Sequence, residues 1–157
     1  MKIIDNFLPE NLFSELVDSI KNIPWFYTQG IGNLSSEDAY YFTHSFYRNI
    51  SYCSNFLPVV QPILDRIESK AIIRIKGNLY LSTPSLQKHD FHVDEVYKHY
   101  GAVFYVNTND GFTEFENDVK IDSVANRVVF FDPTVLHRST NCTDKAQPRI
   151  TINFNYL

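Results

Sequence analysis

The spacing of apolar residues changes once along this chain, and that change restricts the fold more than any other feature. Two segments before residue 71 repeat their apolar residues at helical spacing, whereas the later segments alternate with the period of two typical of β-strands. The later strands follow one another without intervening helices, so a doubly wound nucleotide-binding fold is not expected. The pattern predicts an α+β domain in which helices cover one face of a β-sandwich or open barrel.

Two helices are expected in the first half, at residues 9–21 and 54–69. Pro9 suits the first turn of the first helix, because its fixed φ is helical and its missing N–H has no helical partner there. The aromatic segment between them, residues 25–47, is expected to be irregular. Strands are expected at residues 72–81, 99–107, 112–115, 127–131 and 149–156.

Turns and domain limits follow from the same pattern. Asn109-Asp110-Gly111 separates two apolar segments and predicts a β-hairpin, because these residues tolerate the positive φ of a tight turn. No repeat or linker divides the 157 residues, so one domain is expected. Residues 1–70 would supply supporting helices, and residues 71–157 the β-core.

Composition narrows the cellular setting. The net charge of -4 disfavours nucleic acid and anionic membranes as partners, and no apolar run is long enough to cross a bilayer. Asp5, Asn6 and Pro9 interrupt the start of the chain, so a signal peptide is not expected. Only Cys53 and Cys142 are available for disulfides, which favours a reducing compartment. A cytoplasmic protein is expected, of a cell or of a virus-infected host.

The segment HDFHVD carries the first chemical signal. On a strand, His92 and Asp94 project from the same face, so an imidazole and a carboxylate can point at one cation. His137, after the turn at Asp132-Pro133, is a candidate third ligand. Two histidines and one carboxylate form the facial triad of non-haem iron(II) oxygenases, which leaves positions open for co-substrate and dioxygen. Alone, His-x-Asp is a weak signal that fits a surface histidine and a solvated aspartate better than a metal site.

The last strand, RITINFNY, carries the second signal. One face is polar and the other is apolar. The polar residues are Arg149, Thr151, Asn153 and Asn155. This face could be the solvent side of an edge strand. Alternatively, it lines a pocket in which Arg149 forms a bidentate pair with a carboxylate and the Thr151 hydroxyl adds a hydrogen bond.

Taken in order, these motifs resemble the double-stranded β-helix 2-oxoglutarate oxygenases, and above all their prolyl-hydroxylase-like branch with its small viral and bacterial members. The similarity also covers VFYVNTNDGFTEF (residues 103–115), RVVFFDPTVLH (residues 127–137) and the opening IIDNFLPENLFSEL. It implies a double-stranded β-helix, a jelly-roll or cupin-like sandwich, braced by N-terminal helices.

The resemblance also implies roles for single residues. His92, Asp94 and His137 would bind iron(II), and Arg149 would bind the C5 carboxylate of 2-oxoglutarate. The supporting pocket residues would be Tyr105, Tyr80, Thr151 and Asn153. For the two tyrosines, ordinary half-buried packing is an open alternative. Dioxygen would be the second co-substrate, and ascorbate is a candidate reductant.

The implied activity is hydroxylation of a C–H bond with release of succinate and CO2. The carboxylate at Asp94 favours hydroxylation, since halogenating relatives resemble this pattern with a small residue at that position. A prolyl or peptidyl substrate follows from the resemblance alone, and a small molecule or a nucleobase stays open. The alternatives are a cupin-like metal-binding domain without 2-oxoglutarate chemistry and a non-catalytic interaction protein.

Three further histidines are not expected to bind metal. His89 lies three residues before His92, and positions three apart on a strand face opposite sides, so both could not reach one ion. His44 and His99 are expected to be packing or surface residues.

Overall fold

The computed structural model of the protein describes residues 1–30, 40–145 and 147–157. Its helices in these ranges are α1 (Glu10–Ile20) and α2 (Gln61–Leu64), and a 3-10 turn (Leu57–Val60) precedes α2. The strands in the same ranges are β1 (Lys2–Ile4), β2 (Phe26–Gln29), β3 (Tyr40–Arg48), β4 (Ser51–Tyr52), β5 (Ile72–Tyr80), β6 (Tyr100–Tyr105), β7 (Phe112–Phe115), β8 (Lys120–Asp122), β9 (Arg127–Phe131), β10 (His137–Ser139) and β11 (Arg149–Tyr156). Among these residues, no helix has the length and apolar character needed to span a membrane.

The strands form a large and a small antiparallel sheet. The large sheet has the order β1-β9-β6-β11-β5-β3-β2, with β4 paired to β3, and the small sheet has the order β10-β7-β8. The two sheets share a buried apolar cluster, in which the Phe115 ring of β7 meets the Phe131 ring of β9 edge-on at 5.3 Å between centroids. The predicted β-sandwich is therefore confirmed, with β5, β6 and β11 at the centre of its large sheet.

Helix α1 covers the outer face of the large sheet. Its residues Leu16 and Ile20 lie four positions apart on one stripe and are 2% and 0% exposed. The Phe13 ring packs edge-on against Phe104 of β6, at 6.3 Å between centroids. Burying a side chain of this kind contributes about 1.5–3 kcal/mol, so these contacts hold the helix on the sheet. Because α1 packs on one face of the sheet, the opposite face is free to line a cavity.

Two predictions for the first half were wrong. Within the segment expected to be irregular, Phe26–Gln29 form β2 and Tyr40–Arg48 form β3, while its residues 31–39 lie outside the described residues. The strand period is hidden because both faces carry aromatic residues. Tyr41 faces one side of β3, while Phe46 faces the core under α1. The second helix is much shorter than residues 54–69, because Pro58 and Pro62 each occupy the first turn of a short helical piece.

The predicted hairpin at residues 109–111 was also wrong. Strand β6 belongs to the large sheet and β7 to the small sheet, so this segment connects the sheets. None of Asn109, Asp110 and Gly111 has a positive φ. Glycine is needed for close approach instead, since a Cβ at Gly111 would overlap Arg149 Cδ and the Asn141 carbonyl oxygen.

Asn126 ties the N-terminal segment to the start of β9. Its side chain accepts a hydrogen bond from the Leu8 N–H and donates one to the Leu8 carbonyl, both at 2.8 Å. Its φ is 60°, a left-handed conformation that asparagine tolerates better than most residues. Asn126 is 4% exposed, so water cannot replace these bonds without rearrangement.

We expect Asn126→Ala to lower the free energy of unfolding by about 2–4 kcal/mol. The substitution leaves the buried N–H and carbonyl of Leu8 without their hydrogen-bond partners. It also places alanine, which lacks the polar side chain that helps asparagine, in the left-handed region. Urea denaturation measures the loss. The control is Asn22→Ala, which removes one exposed hydrogen bond to the Asp18 carbonyl. Equal, small losses in both variants would contradict this role of Asn126.

Candidate functional site

The polar face of β11 is buried at the centre of the large sheet. Strand β11 pairs with β5 on one side and β6 on the other, so its interpretation as an edge strand was wrong. Arg149, Thr151 and Asn155 are 1%, 2% and 1% exposed. The pocket alternative is therefore the one that the structure supports.

Strand β5 supplies a second polar row beside the first. The cross-strand pairs are Arg149 with Tyr80, Thr151 with Asn78, Asn153 with Lys76, and Asn155 with Arg74. Paired residues project from the same face of a sheet, so the two rows form one polar floor. The same alternation is visible in IIRIKGNLY, so the sequence carried a signal for Arg74, Lys76 and Asn78, although these residues were not predicted to belong to the site.

A cavity of about 270 Å³ lies over this floor. The predicted site residues that line it are Tyr80, His92, Asp94, His137, Arg149, Thr151 and Asn153. Additional lining residues are Tyr41, Arg74, Lys76, Asn78, Val93, Val103, Thr113 and Ser139. Tyr105 is fully buried and lies behind the lining, with its hydroxyl donating to Thr113 Oγ1 at 2.8 Å. The fold thus brings the predicted residues of separate segments to one cavity.

His92 and His137 are placed by backbone pairing. The two residues form an antiparallel bridge, in which each N–H donates to the other's carbonyl at 2.9 and 3.0 Å. Their rings consequently lie side by side, with centroids 4.7 Å apart. His137 begins β10, a short strand that the sequence analysis did not predict.

Both imidazoles have a fixed tautomer. Nδ1–H of His137 donates to the Val135 carbonyl at 2.9 Å, and Nδ1–H of His92 donates to the Asp90 carbonyl at 3.2 Å. A carbonyl can only accept, so Nδ1 carries the hydrogen and Nε2 of the neutral ring keeps its lone pair. Burial lowers the pKa of His137, which favours the neutral ring. Nε2 of His137 is buried and has no hydrogen-bond partner among the described residues.

Asp94 completes the cluster and is held from two sides. The Arg74 guanidinium donates to Oδ1 and the Asn155 amide donates to Oδ2, both at 2.8 Å. Burial alone would raise the pKa of Asp94, but Arg74 and Asn155 outweigh it and lower the pKa of this carboxyl. The Asn155 amide also donates to His99 Nε2 at 3.1 Å. Asp94 is therefore a preoriented carboxylate.

The three side chains could hold one metal ion. One ligand atom from each of His92, Asp94 and His137 lies within 4.8 Å of the others. Each carboxylate oxygen has more than one lone pair, so the bonds from Arg74 and Asn155 leave acceptor capacity on Asp94. Metal-binding histidines usually donate their other ring N–H to a carbonyl or carboxylate, as both imidazoles do here to backbone carbonyls. A bound cation would give the buried Nε2 of His137 the partner that it lacks among the described residues.

Arg149 marks the opposite end of the cavity. Its Nε–H donates to Ser123 Oγ at 2.7 Å, and its terminal nitrogens donate to the Thr140 carbonyl and Thr113 Oγ1 at 3.1 and 3.3 Å. No acidic side chain among the described residues forms an ion pair with it. Burial lowers the pKa of Arg149. A buried guanidinium without a counter-charge is a candidate binding site for an anion.

Tyr80 and Tyr105 flank this guanidinium. Their ring centroids lie 5.5 and 5.7 Å from its central carbon. The Ser139 hydroxyl donates to the Tyr80 hydroxyl at 3.2 Å, and His89 Nδ1 shares a 2.7 Å hydrogen bond with the same Ser139 oxygen. Both tyrosines therefore belong to the walls around Arg149, and they are buried rather than half-buried.

The remaining histidines have structural contacts. His44 is buried against Phe46, at 4.5 Å between ring centroids, and bonds the Pro24 carbonyl at 2.6 Å. His99 is buried behind Asn155. The expectation of packing roles for these two histidines agrees with their surroundings. His89 is not part of the three-residue cluster.

No protein-family model matches the sequence, and no curated protein matches it. Solved structures do match. A viral collagen prolyl hydroxylase of Paramecium bursaria Chlorella virus 1, solved with 2-oxoglutarate, has a TM-score of 0.65 at 14% identity, covering 99% of this chain and 94% of its own.

Two other solved structures, a second prolyl hydroxylase and an epimerase, are also similar. A Trichoplax adhaerens prolyl hydroxylase, solved with a hypoxia-inducible-factor peptide fragment, has a TM-score of 0.64 at 14% identity and covers 99% of this chain and 82% of its own. The non-haem α-ketoglutarate-dependent epimerase of nogalamycin biosynthesis has a TM-score of 0.65 at 10% identity, with coverages of 99% and 76%. The chain has the fold of the prolyl-hydroxylase-like 2-oxoglutarate oxygenases. The expected double-stranded β-helix is confirmed.

His89 should make this fold sensitive to acid. Burial, with Arg149 and His92 nearby, lowers the pKa of His89 to about 3, whereas an unfolded histidine titrates near 6.5. The unfolded chain therefore takes up this proton first as the pH falls, and stability is lost below pH 6.5.

The unfolding free energy of the parent protein should fall between pH 6.5 and pH 5. We expect this fall to be about 2 kcal/mol smaller in His89→Gln. Urea denaturation at both pH values, compared with the parent protein, measures this difference, since all other titrating groups are common to the two proteins. Parallel pH profiles would contradict a buried, neutral His89.

Proposed function

We propose that this chain is an iron(II)- and 2-oxoglutarate-dependent dioxygenase that hydroxylates a C–H bond of a peptidyl, prolyl or small-molecule substrate. One observation carries the proposal: a cluster of two imidazoles and a carboxylate and an unpaired, buried guanidinium line the same cavity. The overall reaction would consume dioxygen and 2-oxoglutarate and give hydroxylated product, succinate and CO2.

The metal would be held by Nε2 of His92, Nε2 of His137 and one oxygen of Asp94. Bound there, iron(II) would supply dioxygen activation and oxidation of the substrate. The carbonyls of Asp90 and Val135 keep both imidazoles in the ligating tautomer. Arg74 and Asn155 keep Asp94 ionised and oriented, so the protein has little rearrangement to make when the cation binds.

Arg149 would bind the far carboxylate of 2-oxoglutarate. A guanidinium has five N–H groups, and Ser123, Thr140 and Thr113 accept three of them. One N–H is left on each terminal nitrogen, which is the fork that grips a carboxylate with two parallel hydrogen bonds. The Thr151 hydroxyl lines the same cavity and can add a third. An anion here offsets the cost of burying the guanidinium charge.

Support for a peptidyl substrate comes from the Trichoplax prolyl hydroxylase, which is similar to this chain and was solved with a peptide. The epimerase with the same fold shows that fold alone does not fix the reaction. The carboxylate at Asp94 favours hydroxylation by the resemblance described above. A cupin-like metal-binding domain without 2-oxoglutarate would have no use for the unpaired Arg149.

We expect the purified protein with iron(II) and ascorbate to convert 2-oxoglutarate to succinate, and Asp94→Ala to abolish this, because it removes a metal ligand. Mass spectrometry of succinate, and of added oxygen in a peptide and metabolite panel, measures turnover. The control is Asp18→Ala, an exposed carboxylate on α1 that pairs with Lys21. Near-normal turnover in Asp94→Ala would overturn the ligand assignment.

We expect Arg149→Lys to weaken 2-oxoglutarate binding to the manganese(II)-loaded protein by at least about tenfold, since an ammonium cannot form the bidentate pair. Isothermal titration calorimetry measures the affinity without turnover. The matched control is Arg48→Lys at the exposed end of β3. Unchanged affinity in Arg149→Lys would place the co-substrate elsewhere.

A further inference from the structure

The cavity contains more positive charge than the proposed co-substrate uses. Its described lining includes the cations Arg74, Lys76 and Arg149 but only one carboxylate, Asp94. A divalent metal and a doubly negative 2-oxoglutarate would add opposite and equal charges, so the excess of positive charge would persist. Arg74 pairs with Asp94, and Arg149 has its proposed carboxylate. Lys76 is left without an anionic partner among the described residues.

Lys76 is held in the cavity by position and by one hydrogen bond. It lies on β5 between Arg74 and Asn78, on the polar floor, and pairs across the strands with Asn153. Its Nζ donates to the Tyr41 hydroxyl of β3 at 2.8 Å. Burial lowers its pKa, although the carboxylate of Asp94 opposes this. The half-buried ammonium thus lies within electrostatic reach of the candidate metal cluster.

Tyr41 is equally well fixed. Its ring stacks on that of Tyr80 with 5.4 Å between centroids and 8° between planes, and the residue is 7% exposed. Its hydroxyl accepts from Lys76, and no acceptor for its own hydrogen is found among the described residues. Lys76 retains two further N–H donors. The pair therefore presents hydrogen-bond donors and a positive charge to the cavity, with no charged acceptor of its own.

We propose that Lys76 and Tyr41 form a second anion subsite, which holds a carboxylate of the primary substrate while Arg149 holds the co-substrate. This inference rests on the proposed function and narrows its substrate class to molecules that carry a carboxylate. A charge-assisted contact in a half-buried site is stronger than the same contact at the surface, so the subsite selects acids over amides of the same shape.

The carboxylate could belong to a free organic acid or to an acidic side chain of a peptide. Matched acid and amide probes separate these sources. The free probes are acetate with acetamide and N-acetyl-L-proline with its amide. The peptide probes are end-blocked Gly-Glu-Gly and Gly-Gln-Gly. Binding is measured by calorimetry on the protein loaded with manganese(II) and 2-oxoglutarate, and again on the metal-free protein.

In the loaded parent protein we expect at least one acid to bind about tenfold more tightly than its amide. Lys76→Met should abolish this preference, Lys76→Arg should retain most of it, and Tyr41→Phe should reduce it. The control Lys21→Met removes an exposed lysine of equal charge outside the cavity and should leave the preference unchanged. Thermal unfolding verifies that each variant is folded.

Equal binding of acids and amides by the parent protein, or no binding of any probe, would overturn the subsite. A preference that persists in Lys76→Met would do the same. If Lys76→Met instead loses 2-oxoglutarate affinity more than about tenfold, Lys76 holds the co-substrate and the inference is wrong. If the parent protein binds no 2-oxoglutarate but shows a Lys76-dependent preference without metal, the proposed function fails and the anion subsite stands.

Discussion

A buried guanidinium without a buried counter-charge is the constraint on which the rest of this structure depends. Arg149 lies at the centre of the large sheet and is 1% exposed, with only neutral oxygens as hydrogen-bond acceptors. Such a charge costs several kcal/mol unless an anion joins it. The glycine at position 111, whose added Cβ would overlap the arginine side chain, shows how closely the backbone is built around it. An anion bound at Arg149 would offset the cost of burying this charge.

The backbone couples the two ends of the cavity. The bridge between His92 and His137 joins the segment after β5 to β10, while β11 carries both Arg149 and the Asn155 that holds Asp94. Those two positions are six residues apart on one strand, or about 20 Å of extended chain. Strand β11 therefore relates Arg149 to the carboxylate of the candidate metal cluster, and the bridge to β10 of the small sheet adds the two imidazoles. This arrangement suits a site that must position two ligands relative to each other.

The sequence predicted most of the second half, where strand periodicity is clear and the motif residues sit on that periodicity. Strands β7, β9 and β11 begin and end at the predicted residues. Prediction failed where both faces of a strand carry aromatic residues, because the apolar/polar alternation is then lost. In β3, Tyr41 faces the cavity and Phe46 faces the core. Prediction failed also at residues 109–111, because local turn chemistry does not reveal to which sheet the next strand belongs. The polar row of β5, which includes Lys76, is visible as an alternating pattern in the sequence, but it was not predicted to line the site.

The most direct test of the central claim is a crystal structure of the protein with manganese(II) and 2-oxoglutarate, using anomalous diffraction to locate the metal. We expect one anomalous peak within about 2.0–2.3 Å of Nε2 of His92, Nε2 of His137 and an oxygen of Asp94. The far carboxylate of 2-oxoglutarate should meet both terminal nitrogens of Arg149. A metal bound elsewhere, or a 2-oxoglutarate that leaves Arg149 without an anion, would contradict the account.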